Sequence, residues 1–225
     1  MERVVAAAPA GATVLGFAGA PWTLATYMVG GGKSRDFMVV KGWAYRDPES
    51  FARLIETVQE AVAAHLIAQL DAGAEAVQIF DSWAGALPES EFQRWSVEPV
   101  AKIVAAVKAV HPAAPVIGYP RGAGVAYERF AKTTGVDAVS IDSTVAPPGQ
   151  RRNCNSDARY RATSIPRLWS WAALRCAVPR SVILDALGHG PFVFNLGEGV
   201  VPQTPPEHVA ALSELVRGWP DGNGQ

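Results

Sequence analysis

Cysteine is nearly missing from this chain: Cys154 and Cys176 are the two in 225 residues. Two thiols make neither a disulfide framework nor a four-thiolate metal site, so a reducing, cytoplasmic setting is expected. A charge excess is missing too. Twenty Lys+Arg stand against 21 Asp+Glu, a formal net charge of -1, which removes the general attraction to phosphate backbones on which nucleic-acid binders rely. No apolar run approaches the roughly 18 residues that cross a bilayer. Neither a nucleic acid nor a membrane is therefore expected as a partner. Residues 1–20 carry Arg3 and an alanine-rich run, as an export signal does, but Glu2 opposes the basic end and Pro9 and Gly11 interrupt the run.

What is present is an apolar share of 49%, enough for a real core, arranged as short β-branched runs alternating with long amphipathic stretches. That alternation predicts parallel strands joined by crossover helices. Val14 to Ala18 is the first strand, and Pro21-Trp22-Thr23 opens a helix carrying Tyr27. From Glu49 to Asp71 the apolar residues Phe51, Leu54, Ile55, Val58, Val62, Leu66 and Leu70 recur at helical spacing, with Gly73 as the stop. Ala76 to Phe80 reads as a buried strand ending in Asp81-Ser82, followed by a helix over roughly Glu89 to Val110. Val116 to Tyr119 ends in Pro120-Arg121-Gly122 and leads into a helix to about Thr133. Ala138 to Ile141 ends in Asp142; Val193 to Leu196 precedes Gly197 and a helix from Pro206 to Arg217.

Five strand-helix units are legible in this way, each with polar or glycine residues at the C-terminal end of its strand. That end is where a (β/α)8 TIM barrel carries its active site. The fold class expected is therefore α/β, a TIM barrel. Such a barrel takes about 250 residues and eight units, so an N-terminally truncated single domain is expected. Pro148 to Arg180 departs from the pattern: seven arginines, one acid, both cysteines, Trp169 and Trp171, and no strand or helix period. Neither the strand nor the helix of a regular unit is expected there, and a basic surface insertion is the plain reading.

The segments GFAGAPWTLATYMVGGGKS (16–34), VQIFDSWAG (77–85), GYPRGAG (118–124), VSIDSTV (139–145) and FNLGEGVVPQTPPEHV (194–209) resemble uroporphyrinogen decarboxylase throughout the chain except 148–180. The resemblance implies a cofactor-free (β/α)8 barrel, generally a homodimer, that removes carbon dioxide from the four acetate arms of uroporphyrinogen III to give coproporphyrinogen III. It also implies a QGNLDP motif where 148–180 has none. A reading-frame slip accounts for that, because back-translation with GC-rich codons yields QGNLDP and a VVVGG run in the neighbouring frame.

The resemblance further implies substrate-binding roles. Tyr27, in the APWTLxTYM segment, would hydrogen-bond a substrate carboxylate with its hydroxyl; on the residues alone it reads rather as a helix-packing aromatic. Ser82, in FDSWAG, would contact a carboxylate arm, or else cap the next helix. Glu198 stands where the family has a pocket histidine, NLGEG in place of NLGHG, and an ionised glutamate accepts hydrogen bonds and repels carboxylates. Asp81 reads as a loop-ordering carboxylate without chemistry of its own. Arg121 would pair with a substrate carboxylate or form a structural salt bridge. His189 reads as a turn residue. Gly32-Lys33-Ser34 matches the end of a phosphate-binding loop whose first glycine is replaced by Tyr27, and reads as a loop or lid.

No catalytic residue is assigned: the family's arginine-rich motif and the aspartate that holds the pyrrole N–H groups would both precede Met1. A non-catalytic gene remnant is therefore one alternative. A corrinoid-linked methyltransferase of the same superfamily is another, opposed by the lack of a His-x-Cys pair that would hold its zinc. No metal and no cofactor is expected.

Overall fold

The computed structural model describes residues 1–31, 36–142, 159–164, 184, 192–196 and 202–219, with 159–164 described as backbone. The chain divides into two compact units, Met1–Val139 and Ser140–Gln225. The first unit opens with a short helix, α1 (Glu2–Ala7), and continues as β1 (Leu15–Gly19), α2 (Pro21–Gly30), α3 (Met38–Arg46), α4 (Pro48–Asp71) and β2 (Ala76–Asp81). After a 3-10 turn at Ala84–Ala86 come α5 (Glu89–Phe92), a π-helical turn (Gln93–Val97), α6 (Glu98–Val110), β3 (Val116–Pro120), a 3-10 turn at Gly124–Ala126, α7 (Tyr127–Thr134) and β4 (Ala138–Ile141), whose last two residues fall in the second unit.

The strands pair in parallel in the order β1, β2, β3, β4, through registers such as Gly19↔Phe80, Phe80↔Tyr119 and Gly118↔Val139. Parallel neighbours require crossover connections, and the intervening helices supply them. The α/β, TIM-barrel class expected from the sequence stands.

Local sequence explains the helices. Pro48 occupies the first turn of α4, whose N-cap Asp47 accepts the Ser50 N–H at 3.1 Å. The α4 stripe Phe51, Ile55, Val58, Val62, Leu66 and Leu70 is buried. In α2, Pro21 sits at the start and Gly31 ends the helix at φ 63, a left-handed conformation that glycine adopts without steric cost. Phe51 centres an aromatic cluster that ties these elements together, its ring 6.2 Å from Trp22, 5.5 Å from Trp43 and 4.9 Å from Trp95, all edge-on.

Two helices were not expected. One is α1; the other is α3, which begins from Phe37 at φ 57, has its first N–H, that of Met38, accepted by Asp36 Oδ1 at 3.1 Å, and carries Gly42 in its middle. The helix expected over Glu89 to Val110 is interrupted by the π turn, in which the Glu98 N–H reaches the Gln93 carbonyl.

In the second unit, β5 (Arg159–Ser164) and β6 (Phe192–Leu196) pair in parallel from Tyr160↔Phe192 to Ser164↔Leu196. The chain ends its described part with a helix, α8 (Pro206–Arg217). β5 corrects the expectation that 148–180 holds no strand. Its letters alternate Arg159, Arg161 and Thr163 with Tyr160, Ala162 and Ser164, a period of two that the charge of the segment masked. The rest of 148–180, including both cysteines, lies outside the described residues, as does the frame-slip reading.

Candidate functional site

Three described strands of the first unit, β1, β2 and β3, end side by side at Gly19, Asp81 and Pro120. Of the five strand ends expected around one mouth, these three share an edge; Asp142 belongs to the second unit, and Gly197 lies outside the described residues.

The edge is stitched together by short bonds. The Ala20 N–H donates to the Phe80 carbonyl at 2.8 Å, which seats the start of α2 on the end of β2. Trp22 Nε1 donates to the Trp83 carbonyl at 3.0 Å. Thr23 Oγ1 donates to Asp81 Oδ1 at 2.7 Å and accepts the Trp83 N–H at 3.3 Å. Ser96 Oγ, from the π turn, donates to Asp81 Oδ2 at 2.5 Å. Asp81 is 1% exposed. Burial raises its carboxyl to about 6, and the Ser96 and Thr23 hydroxyls oppose that rise by stabilising the anion.

Tyr27 lies one helical turn beyond Thr23 and is 44% exposed. Ser82 follows Asp81 directly and is half-buried. Both therefore follow the C-terminal ends of adjacent parallel strands, and the Thr23 bonds join the two segments that carry them. Arg121 N–H donates to the Asp81 carbonyl at 3.0 Å, and its guanidinium lies 5.8 Å from the Trp83 ring. Glu198, His189 and the Gly32-Lys33-Ser34 segment lie outside the described residues.

The β2 and β3 loops meet backbone to backbone. A Cβ placed on Gly85 would come within 2.8 Å of the Gly122 carbonyl oxygen, and Gly122 has φ +75. Only glycine permits this approach. Beside it, Ala84, Gly85, Leu87, Phe92, Gly122 and Arg129 are among the residues around a cavity of about 310 Å³, with an Arg129–Glu89 ion pair of 2.7 Å.

One feature of the sheet was not singled out in the sequence. Phe17, Phe80 and Tyr119 form a row of edge-to-face rings, with centroids 5.9 Å and 5.8 Å apart. Their alternate spacing in the strands is the visible signal. By register they share the sheet face opposite Asp81 and Gly16.

Among the described residues no helix is long and apolar enough to cross a membrane, and no cluster of three or more His, Cys, Asp or Glu could hold a metal ion.

Comparison with known proteins places these features in a family. The family model described as uroporphyrinogen decarboxylase (URO-D) matches residues 1–219. The uroporphyrinogen decarboxylase of Rhodospirillum rubrum is 50% identical over 219 residues, covering 96% of this chain and 62% of the relative. That of Granulibacter bethesdensis is 45% identical over 210 residues, covering 91% and 60%. The chain thus spans about three fifths of the length of the curated relatives it matches. Among solved structures, a methyltransferase from Methanosarcina mazei matches with TM-score 0.76 over 96% of this chain and 62% of its own, at 18% identity, a likeness of fold. With its motifs at strand ends and the family model running from residue 1 to 219, the chain belongs to the uroporphyrinogen decarboxylase family.

Proposed function

We propose that this chain binds uroporphyrinogen III and serves its decarboxylation to coproporphyrinogen III without a cofactor, within a single barrel domain. At each of the four acetate arms, R–CH2–COO⁻ loses CO2 and gains one proton to become R–CH3. The observation that carries the reading is the stitching of the Tyr27 helix to the Ser82 loop at one edge of a parallel sheet, where such folds place their sites.

In this reading the half-exposed Tyr27 hydroxyl and the Ser82 hydroxyl donate to substrate carboxylates. Phe17, which is exposed, and the half-buried Phe80 offer apolar ring surface to the macrocycle carbons, with the buried Tyr119 packed edge-on against Phe80. Glu198 stands in sequence where the family has a pocket histidine, and an ionised carboxylate in that role weakens the binding of a carboxylate-rich substrate. A cytoplasmic homodimer fits the family and the low cysteine content.

The test is coproporphyrinogen formation by the purified chain, and by the chain joined to the part of the Rhodospirillum rubrum relative that it does not span. Turnover in the joined chain, abolished by Tyr27→Phe with Ser82→Ala, is the expected result. Undiminished turnover in that double variant would overturn the site.

A further inference from the structure

The Thr23 hydroxyl takes part in two hydrogen bonds whose directions are fixed. It accepts from the Trp83 N–H, which can only donate. Its single proton then goes to Asp81 Oδ1 at 2.7 Å. The second Asp81 oxygen is taken by Ser96 Oγ. Asp81 and Trp83 flank Ser82, so Asp81, Ser82, Trp83 and the Thr23 hydroxyl close a ring in which Ser82 is held on both sides. Thr23 itself is fixed within α2: it is 3% exposed, and its carbonyl accepts from Thr26 Oγ1 at 2.7 Å. Tyr27 is the i+4 neighbour of Thr23, about 6 Å along the helix axis. The Thr23–Asp81 bond is buried, away from bulk water that could replace it, and the Trp83 bond is partly buried.

We propose that Asp81, acting through Thr23, is a positioning residue that sets the spacing between Ser82 and Tyr27 and so the affinity for a carboxylate-bearing substrate. This rests on the reading of Tyr27 and Ser82 as substrate-binding residues. The carboxylate suits the task because it accepts from two hydroxyls on different elements, α2 and the π turn, and competes with neither for a proton. A valine at position 23 keeps the shape, removes the donor to Asp81 and leaves the Trp83 N–H without its acceptor. Serine keeps both bonds.

The experiment titrates uroporphyrinogen, anaerobically and in the dark, against the chain and its variants by quenching of tryptophan fluorescence, with thermal midpoints recorded in parallel. Amide exchange at Trp83 is followed in the unmodified chain. Thr23→Val is expected to weaken binding about tenfold, since small misplacements of binding groups have effects of this order or larger. Thr23→Ser is expected to stay within about twofold of the unmodified chain on the same ground. Tyr27→Phe and Ser82→Ala are expected to weaken binding as well, and the Trp83 amide to exchange slowly.

If Tyr27→Phe and Ser82→Ala weaken binding while Thr23→Val lowers only the thermal midpoint, Thr23 and Asp81 are structural and the positioning role is overturned, with the site intact. Rapid exchange at Trp83 in the unmodified chain overturns it independently of any variant's folding. Unchanged affinity in Tyr27→Phe and Ser82→Ala, or no binding by the unmodified chain, overturns the site reading and the positioning role together.

Discussion

The side-chain amide of Gln69 closes on both backbone groups of Phe17: Phe17 N–H donates to Oε1 at 2.8 Å, and Nε2 donates to the Phe17 carbonyl at 2.9 Å. It reaches them over Gly16, where an added Cβ would come within 2.5 Å of Oε1. Phe17 lies in β1, which ends the strand order of the sheet, so a helix side chain occupies the place of a strand partner. Gln69→Leu removes both bonds. The expected loss is about 1 to 3 kcal/mol, read as a lower urea midpoint. An unchanged midpoint would show that water satisfies Phe17 equally well.

Gly85→Ala is expected to destabilise by about 1 to 3 kcal/mol, since the new methyl group meets the Gly122 backbone rather than a movable side chain. Ala123→Gly, in the same loop, serves as a control that adds no atom. A Gly85→Ala variant with the stability of the unmodified chain would mean that the two loops separate freely.

Asp81 makes stability depend on pH in a stated direction. Its carboxyl is raised from 3.8 to about 6 in the folded chain. The unfolded chain therefore gives up this proton first, and the group's favourable contribution, complete below pH 4, disappears as pH rises through 6. The shift corresponds to about 3 kcal/mol. Urea midpoints of the unmodified chain and Asp81→Asn between pH 4 and 7 should diverge across this window, with the variant lacking that downward step. Parallel curves would place the carboxyl near its ordinary value.

Glu198→His is expected to tighten uroporphyrinogen binding by about tenfold, corresponding to roughly 1.4 kcal/mol of like-charge repulsion relieved. Isothermal titration at two salt concentrations checks the cause: the gain should shrink at high salt if Glu198 is exposed to solvent. A weaker-binding variant would overturn the reading of Glu198 as a substrate-binding position.

Much of the fold was legible because burial and periodicity coincide. The α4 stripe and the apolar runs of β2 and β3 each repeat one signal over their whole length. β5 was illegible because arginines at alternate positions read as charge rather than as a strand face. α3 was overlooked because its N-cap position holds Phe37, while the side chain that accepts its first N–H, Asp36, lies one place earlier. At the candidate site, Tyr27 and Ser82 were singled out by resemblance and Asp81 by its place at a strand end. The Thr23 bonds and the Gly85–Gly122 approach were not found, because each joins residues far apart in the chain and leaves no local pattern.

The π turn at Gln93–Val97 puts two neighbours to work on different targets: Trp95 packs on Phe51 while Ser96 reaches Asp81. The turn holds one residue more than an α-helical path would, and each residue in a helix turns the chain by about 100°. Deleting one residue between Phe92 and Glu98 would let an α-helical turn cover the same path, so Val100, Ile103, Val104 and Val107 would keep their places in the core. Only the turn itself would change, where Trp95 and Ser96 now serve separate targets. This helix can therefore absorb a change of length as a loop does, with the effect of a deletion felt at Asp81 rather than in the core.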